Sequence, residues 1–418
     1  FCVENIKKDK GIDLYEEIDC LDLTDKKVLN YFATQSPYGI FQMERAKMFT
    51  DKINVDEFED IVAINAINRP GPLEKYLNKY GYWKDIDKGK IKLDADELEM
   101  INMERYPFAF MEKVLSPTYG CLLYQEQFMA LVQVAGGFDM GEADSFRRVI
   151  AWKPDHPKFY TVEKYYKQLE EKMGEKGYTK DDVNKFVEYC RDFAGYSFNK
   201  SHSTTYGYIA FQTLYFKTYY PAYFYAAMIN MENDIEKIPD IIADAKENKI
   251  TILPHSITKS HYPTMVESDN SIRLGFGMIK GMGDAVRDEM IELKLTECKT
   301  LGEVLMKPFK KINATQLQNL IDLGCFDEFG VDRNKITVLK DLYADASIEK
   351  WFTRKNQTLR LEVIPKILKE QFDPTTCLKI ALKVKTSPIP HLLLISELLK
   401  SVDLGTFDDK KYMKETIK

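Results

Sequence analysis

The run TYGYIAFQTLYFKTYYPAYFYAAM, residues 205–228, limits the possible folds more than any other stretch of the chain. Its aromatic and apolar side chains fall on every side of a helix. The segment therefore predicts a nearly buried helix that breaks or ends at Pro221, where a proline ring removes an amide donor and crowds the preceding turn. Such a helix needs other elements around it, and 418 residues are enough to supply them. That length exceeds one ordinary core and predicts two or more packing units.

Hydrophobic residues at 44% and charged residues at 30% give a soluble, globular balance without a tail of one charge sign. The net charge of -6 argues against a protein that coats nucleic acid nonspecifically, because that requires Lys and Arg gathered against phosphates. Any nucleic-acid contact must be local. Cys2, Cys20, Cys121, Cys190, Cys298, Cys325 and Cys377 show neither CxxC nor Cys/His spacing, so the sequence predicts reduced thiols rather than a zinc site or a disulfide framework. No apolar run reaches the roughly 20 residues that span a bilayer. Phe1 to Lys10 turns charged too soon for a secretory leader. The expectation is a soluble intracellular protein with no membrane partner. The initial Phe in place of Met predicts a processed product or a fragment whose N-terminal remainder lies elsewhere.

Residues 1–65 read as helices, with Asp22 or Thr24 as a cap before KKVLNYF and with Phe58, Ile61, Val62, Ile64 and Ala66 along one helix side. RPGPL at 69–73 then ends the helix in a rigid turn that presents Arg69. The segment 82–100 is polar and predicts a surface excursion. From 103 to 235 the pattern is helical and aromatic. Short extended pieces follow between 251 and 278, with Asp269-Asn270 as a hairpin turn, and helices resume at 283. The stretch beyond about 345, which includes LRLEVIPKIL and CLKIALKV, carries no functional signal, and no internal repeat is present.

Four segments carry chemistry. In TYGCLLYQEQFMALV (118–132), Gln125, Glu126 and Gln127 interrupt an apolar helix-like run and need partners, which neighbouring loops can supply. In GEADSFRRVIAWK (141–153), Arg147, Arg148 and Lys153 lie within two turns of one predicted helix that begins after Gly141. The adjacent arginines diverge by about 100° and cannot both face water from a packed stripe. Either one of them meets an anion, or the helix is a solvated basic one with Asp144 as the local partner. In FAGYSFNKSHSTTYGY (193–208), Asn199, Ser201 or Ser203 can cap the buried helix and leave amide donors for a phosphate, with Lys200 adding a mobile charge. His202 is either a structural histidine or one that titrates near a leaving group. In LGFGMIKGMGDAVRDEMIE (274–292), Gly281 and Gly283 beside Lys280 have the form of a helix-hairpin-helix turn, whose amides bind DNA phosphate without reading sequence.

Together and in this order, these segments resemble the alpha subunits of bacterial DNA polymerase III, C-family replicative polymerases of the type with RPGP and YQEQ motifs. The resemblance covers about residues 15–345. It is carried by GIFQMER (39–45), FEDIVAINAINRPGPL (58–73), PTYGCLLYQEQFM (117–129), GEADSFRRVIAWK, FAGYSFNKSHSTTYGYIAFQTLYFK (193–217) and LGFGMIKGMGDA. It implies a mainly α, multi-lobed fingers domain with small β elements. The implied parts are a helical segment at 1–75, a fingers core at 76–265, a small β and helix-hairpin-helix region at 266–345, and a C-terminal segment at 346–418 without an assigned role. It further implies that Arg147, Arg148, Lys153, Asn199 and Ser201 contact a deoxynucleoside triphosphate, supported by Arg69 and Gln125. Lys200 or His202 would act on the leaving pyrophosphate, and Lys280, Gly281 and Gly283 would touch duplex backbone.

The family usually follows the double arginine with Met-Gly-Lys-Lys. Ile150, Ala151, Trp152 and Lys153 stand here instead, so Trp152 either stacks on a base or belongs to the core. Mg2+ is expected in the complete enzyme, held by palm aspartates that the family carries N-terminal to the matched region. Asp85 and Asp87 superficially resemble that acidic motif but lack an apolar strand around them. The implied partners are primer-template DNA, the nucleotide and a palm-containing polypeptide, with a sliding clamp and other replisome proteins as further candidates. The implied location is bacterial cytoplasm or nucleoid, with a host or a viral gene as alternative origins. Residues 316–320 read as an amphipathic helix rather than a clamp peptide. The competing reading is a non-catalytic DNA-binding or assembly module with a polymerase-derived fold.

Overall fold

The computed structural model describes residues 1–337 except 45, 46, 153, 154, 195–197, 280, 300, 302, 303, 305, 306, 308 and 335. Lys153, Lys280, the last residue of GIFQMER, and the LRLEVIPKIL and CLKIALKV runs all lie outside the described residues. The fold is mainly α, with one three-stranded sheet among the described residues. Contacts divide it into two compact units, Ile6–Tyr220 and the chain from Pro221 onward together with Phe1–Asn5. The fourfold division expected from the sequence stays a proposal beside this boundary.

Helix α1 (Cys2–Lys10) crosses the division after Asn5, and the first unit further contains α2 (Lys26–Thr34), α3 (Lys47–Thr50), α4 (Phe58–Ile67), α5 (Pro70–Asp87), α6 (Ala95–Arg105), α7 (Ala109–Leu115), α8 (Gln125–Gly136), α9 (Met140–Ile150), α10 (Phe159–Glu175), α11 (Lys180–Ala194) and α12 (Lys200–Tyr219). Helix α12 is the aromatic run. From Tyr206 to Thr218 none of its residues is exposed, and it stops before Pro221 as expected. It lies along α4, where a Cβ built on Gly207 would stand 3.1 Å from Val62 Cγ2 and the buried Ser203 hydroxyl donates to Val62 O at 2.6 Å. Its buried Lys217 ammonium donates to Ser36 O at 2.9 Å and to Tyr38 O at 2.7 Å, so the one charge in the run is satisfied by loop carbonyls. A second core joins α7 to α11. Phe128, Phe146, Leu169 and Phe186 form its interior, and Trp152 packs against it from the edge with its ring 4.2 Å from that of His156.

Several local expectations are corrected. Helix α2 is capped by Asp25, which accepts from Lys27 N and Val28 N, whereas Asp22 turns the preceding residues by accepting from Thr24. Helix α9 starts at Met140 behind the cap Asp139, so Gly141 lies inside it. RPGPL does follow the end of α4, but it is not a free turn. Pro70 and Pro72 sit in the first turn of the 18-residue α5, where a missing N–H costs nothing, and Arg69 is the residue just before it. The polar stretch 82–100 is not a surface excursion throughout. Its first part completes α5 and its last part opens α6, with Trp83 and Lys84 buried.

Lys84 explains that failure. Its ammonium, with no exposed surface, donates to Asn54 O at 2.7 Å, to Asp56 at 2.6 Å and to Asp60 at 2.5 Å. Asp60 also accepts from the backbone of Asp56 and Glu57 and from Tyr80 Oη, which caps α4 and ties it to α5.

The second unit contains α13 (Pro221–Met231), α14 (Ile238–Glu247), β1 (Thr251–Leu253), β2 (Met265–Ser268), β3 (Ser271–Arg273), α15 (Asp284–Glu292) and α16 (Ala314–Asp322). Strand β3 is central. It is antiparallel to β2 through the expected turn at Asp269-Asn270 and parallel to β1. The core beyond the sheet gathers Phe276, Ile279, Met282, Val286, Leu320 and Phe326. Helix α16 contains residues 316–320 and buries Leu317, Leu320 and Ile321, as an amphipathic helix should.

Candidate functional site

The segments singled out at 124–127, 144–148 and 198–202 meet within the first unit. Tyr124 and Phe198 form an isolated parallel bridge, and Gln125 N donates to Phe198 O at 2.8 Å. This contact sets the start of α8 beside the start of α12. Gln125, Glu126 and Gln127 then each have a partner. Gln127 Oε1 accepts from Leu123 N and Tyr124 N while its amide donates to Thr118. Gln125 Oε1 accepts from Arg147 Nη1 at 3.0 Å. Glu126 accepts from Lys200 N at 3.0 Å and from Asn199 Nδ2 at 3.1 Å.

Asn199 is the cap of α12, its Oδ1 accepting from His202 N at 2.8 Å. Ser201 and Ser203 are not the cap. Ser201 is exposed in the first turn, and Ser203 points into the α4 contact. The expected open set of amide donors is therefore partly filled. Of the first four N–H groups of α12, those of Lys200, His202 and Ser203 bond to Glu126, to the Asn199 side chain and to Asn199 O.

The cations are also engaged. Arg147 donates through Nε and Nη2 to Asp144 Oδ1 at 2.9 and 2.7 Å, and Arg148 donates through Nε to Asp144 Oδ2 at 2.8 Å. Hydrogen bonds from Arg147 and then Arg148 hold the Asp144 carboxyl below the usual carboxylate range. The two guanidinium groups do differ in exposure, with 70% of the Arg148 side chain accessible against 25% of Arg147. Lys200 Nζ lies 3.4 Å from Glu59 Oε2 and 5.6 Å from the centre of the Tyr124 ring. The Arg69 guanidinium lies 4.9 Å over the Phe198 ring. His202 is exposed between Phe198 and Tyr206, with ring centres 5.5 and 4.1 Å away.

Arg69, Gln125, Arg147, Asn199, Lys200 and His202 thus join one connected patch, with Arg148 attached through Asp144. Glu59 and Phe198 were missed as site residues. Glu59 lies 141 positions from Lys200 and has no local signal, while Phe198 is an ordinary aromatic in the sequence pattern.

The acidic pair considered for metal does not fit one. Asp87 accepts from the buried Arg105 at 2.6 Å and Asp85 lies 3.5 Å from Lys90, both near the end of α5. Among the described residues no three His, Cys, Asp or Glu side chains gather as metal ligands.

In the second unit Gly281 has φ +83°, a left-handed conformation that a side chain disfavours, and its carbonyl accepts from Gln316 Nε2 at 2.6 Å. Gly283 is the residue just before α15. The Glu289 carboxylate receives the backbone amides of Lys310, Lys311 and Ile312 and so fixes the approach to α16. This is a helix-turn arrangement closed by side-chain caps.

A family model of the bacterial DNA polymerase III alpha subunit finger domain matches residues 1–177, and one of the helix-hairpin-helix motif matches residues 249–336. Over its finger and helix-hairpin-helix regions the chain belongs to the bacterial DNA polymerase III alpha-subunit family. It is 36% identical over 362 residues to the DNA polymerase III subunit alpha of Campylobacter jejuni, covering 85% of this chain and 29% of that protein. The corresponding subunit of Aquifex aeolicus is 36% identical over 331 residues, 78% of this chain and 27% of the relative. That of Bacillus subtilis is 31% identical over 349 residues, 82% of this chain and 29% of the relative. The chain therefore spans less than a third of the length of these polymerase subunits. Among the described residues, no helix is long and apolar enough to cross a membrane.

Proposed function

We propose that this chain supplies the fingers of a DNA-directed DNA polymerase, binding an incoming deoxynucleoside triphosphate for addition to a primer 3' end with release of pyrophosphate. One observation carries the reading: the start of α8 holds both cation-bearing helices, Gln125 bonding to Arg147 on α9 and Glu126 to the start of α12 beside Lys200. Fixed cations at phosphate charge are what phosphoryl transfer requires of a protein. Arg147 and Arg148 would neutralise the triphosphate, with the more exposed Arg148 reaching furthest. Lys200 would meet the leaving pyrophosphate, while Asn199 and Ser201 line the same helix start. His202, held between two rings, would sit beside the nucleotide, with Arg69 supporting Phe198 from behind.

Divalent metal would polarise the reacting phosphate. The acidic pair at 85 and 87 does not suit that task, so no step is assigned to metal on these residues, and carboxylates of a palm-containing polypeptide would hold it. The turn at Gly281 and Gly283 would offer backbone amides to duplex phosphate, making primer-template DNA the partner of the second unit.

The test is primer extension by this chain mixed with a palm-containing polypeptide of the same family, with each alone as control. Arg148→Ala should lower kcat/KM for the nucleotide roughly 10- to 100-fold, the worth of a charged hydrogen bond, while the charge-matched surface variant Lys185→Ala should not. Unchanged nucleotide kinetics in Arg148→Ala would overturn the assignment. Duplex binding that never depends on nucleotide would favour a non-catalytic module.

A further inference from the structure

The cations proposed to receive the triphosphate are already bonded to carboxylates of the chain itself. Asp144 accepts three N–H bonds from two guanidinium groups at 2.7–2.9 Å, a donor set that also suits a phosphate. Glu126 takes the Lys200 amide and the Asn199 side chain, and Glu59 lies against the Lys200 ammonium. Arg147, Arg148 and Lys200 contribute three positive charges, and Asp144, Glu126 and Glu59 three negative ones. Over these six side chains the charges cancel.

We propose that Asp144, Glu126 and Glu59 occupy the positions of phosphate oxygens, so that a polyphosphate binds by exchange with these carboxylates rather than by filling an empty seat. The proposal rests on the triphosphate reading above. Two features make exchange feasible. The pairs are half-exposed, with 30% of Asp144, 40% of Lys200 and 52% of Glu59 accessible, so each is weak against solvent. A polyphosphate also presents several linked charges at once, where the chain offers one carboxylate to each position. The carboxylates would hold the cations apart and in place before binding, and would exclude singly charged anions that cannot displace more than one of them. The device therefore selects for polyphosphates over isolated phosphate.

The sign of the affinity change tests this. Inorganic triphosphate is titrated calorimetrically into the full 418-residue chain, into Asp144→Asn and Glu126→Gln, and into Arg147→Ala/Arg148→Ala. Far-UV circular dichroism confirms the fold of each variant. Exchange predicts that each neutralised carboxylate raises affinity by roughly two- to five-fold and that inorganic monophosphate gains proportionally more. If Asp144→Asn and Glu126→Gln both bind triphosphate as the unaltered chain does, or more weakly, the carboxylates only position the cations and the exchange proposal fails. If binding is absent, or survives loss of both arginines, the triphosphate reading fails together with it. A gain confined to Asp144→Asn would leave exchange at the arginines and remove Glu126 from it.

Discussion

Replacing Lys84 with Met should destabilise the first unit by about 3–5 kcal/mol near neutral pH, the usual consequence of removing one partner from a buried ion pair. Met fills the space of the lysine stem, so little of this loss comes from packing. What disappears is an ammonium with no exposed surface that donates to Asn54 O, Asp56 and Asp60. Asp56 is partly exposed and can be rehydrated. Asp60 is 1% exposed and keeps only two backbone amides and the Tyr80 hydroxyl. Burial already pushes the Asp60 carboxyl up, and loss of the cation raises it further. A carboxyl whose pKa is raised by folding favours the folded state most where it is protonated, so the defect of Lys84→Met should shrink as pH falls from 8 to 5. Urea unfolding followed by tryptophan fluorescence at both pH values measures this. Lys84→Met/Asp60→Asn should be more stable than Lys84→Met alone at pH 8. A single variant within about 1 kcal/mol of the unaltered chain at pH 8, or a defect independent of pH, would refute the account of α4 and α5 as joined through one buried charge pair.

Gly207→Leu should lower the melting temperature, because added methylenes would push α12 off Val62 at a cost of about 1–3 kcal/mol; unaltered melting would contradict the close approach at 3.1 Å. In the second unit, burial lowers the pKa of His255 to about 4 from 6.5. The unfolded chain therefore takes up a proton first, and stability falls between pH 6.5 and 4 by up to about 3 kcal/mol. His255→Phe should flatten that part of the pH–stability curve, and an unchanged slope would show that other groups set it.

The aromatic helix, its end before Pro221, the hairpin at 269–270 and the amphipathic residues 316–320 were all legible in the sequence, because each follows from a local pattern of side-chain size, charge or turn chemistry. The shared carboxylate partner of Arg147 and Arg148 was legible too, since Asp144 precedes them by three and four positions on one helix. The course of α5 was not. A run containing Lys84, Asp85, Asp87 and Lys88 looks solvated, and the groups that make the burial of Lys84 tolerable, Asp60, Asp56 and Asn54 O, lie 24, 28 and 30 positions away. The filled state of the α12 start was hidden for the same reason, as Glu126 reaches Lys200 N across 74 positions. Charge pairing between distant segments is a property of the fold, and no window of the sequence contains both partners.

Hydrogen exchange of the chain with and without dATP and Mg2+ tests the central claim most directly, because it reads the backbone at the proposed seat. The account predicts slower exchange in the first turn of α12 and the last turn of α9, lost in Arg147→Ala/Arg148→Ala, with α15 and α16 unaffected. Equal exchange at both helix ends with saturating nucleotide, or protection that persists without the arginines, would contradict it.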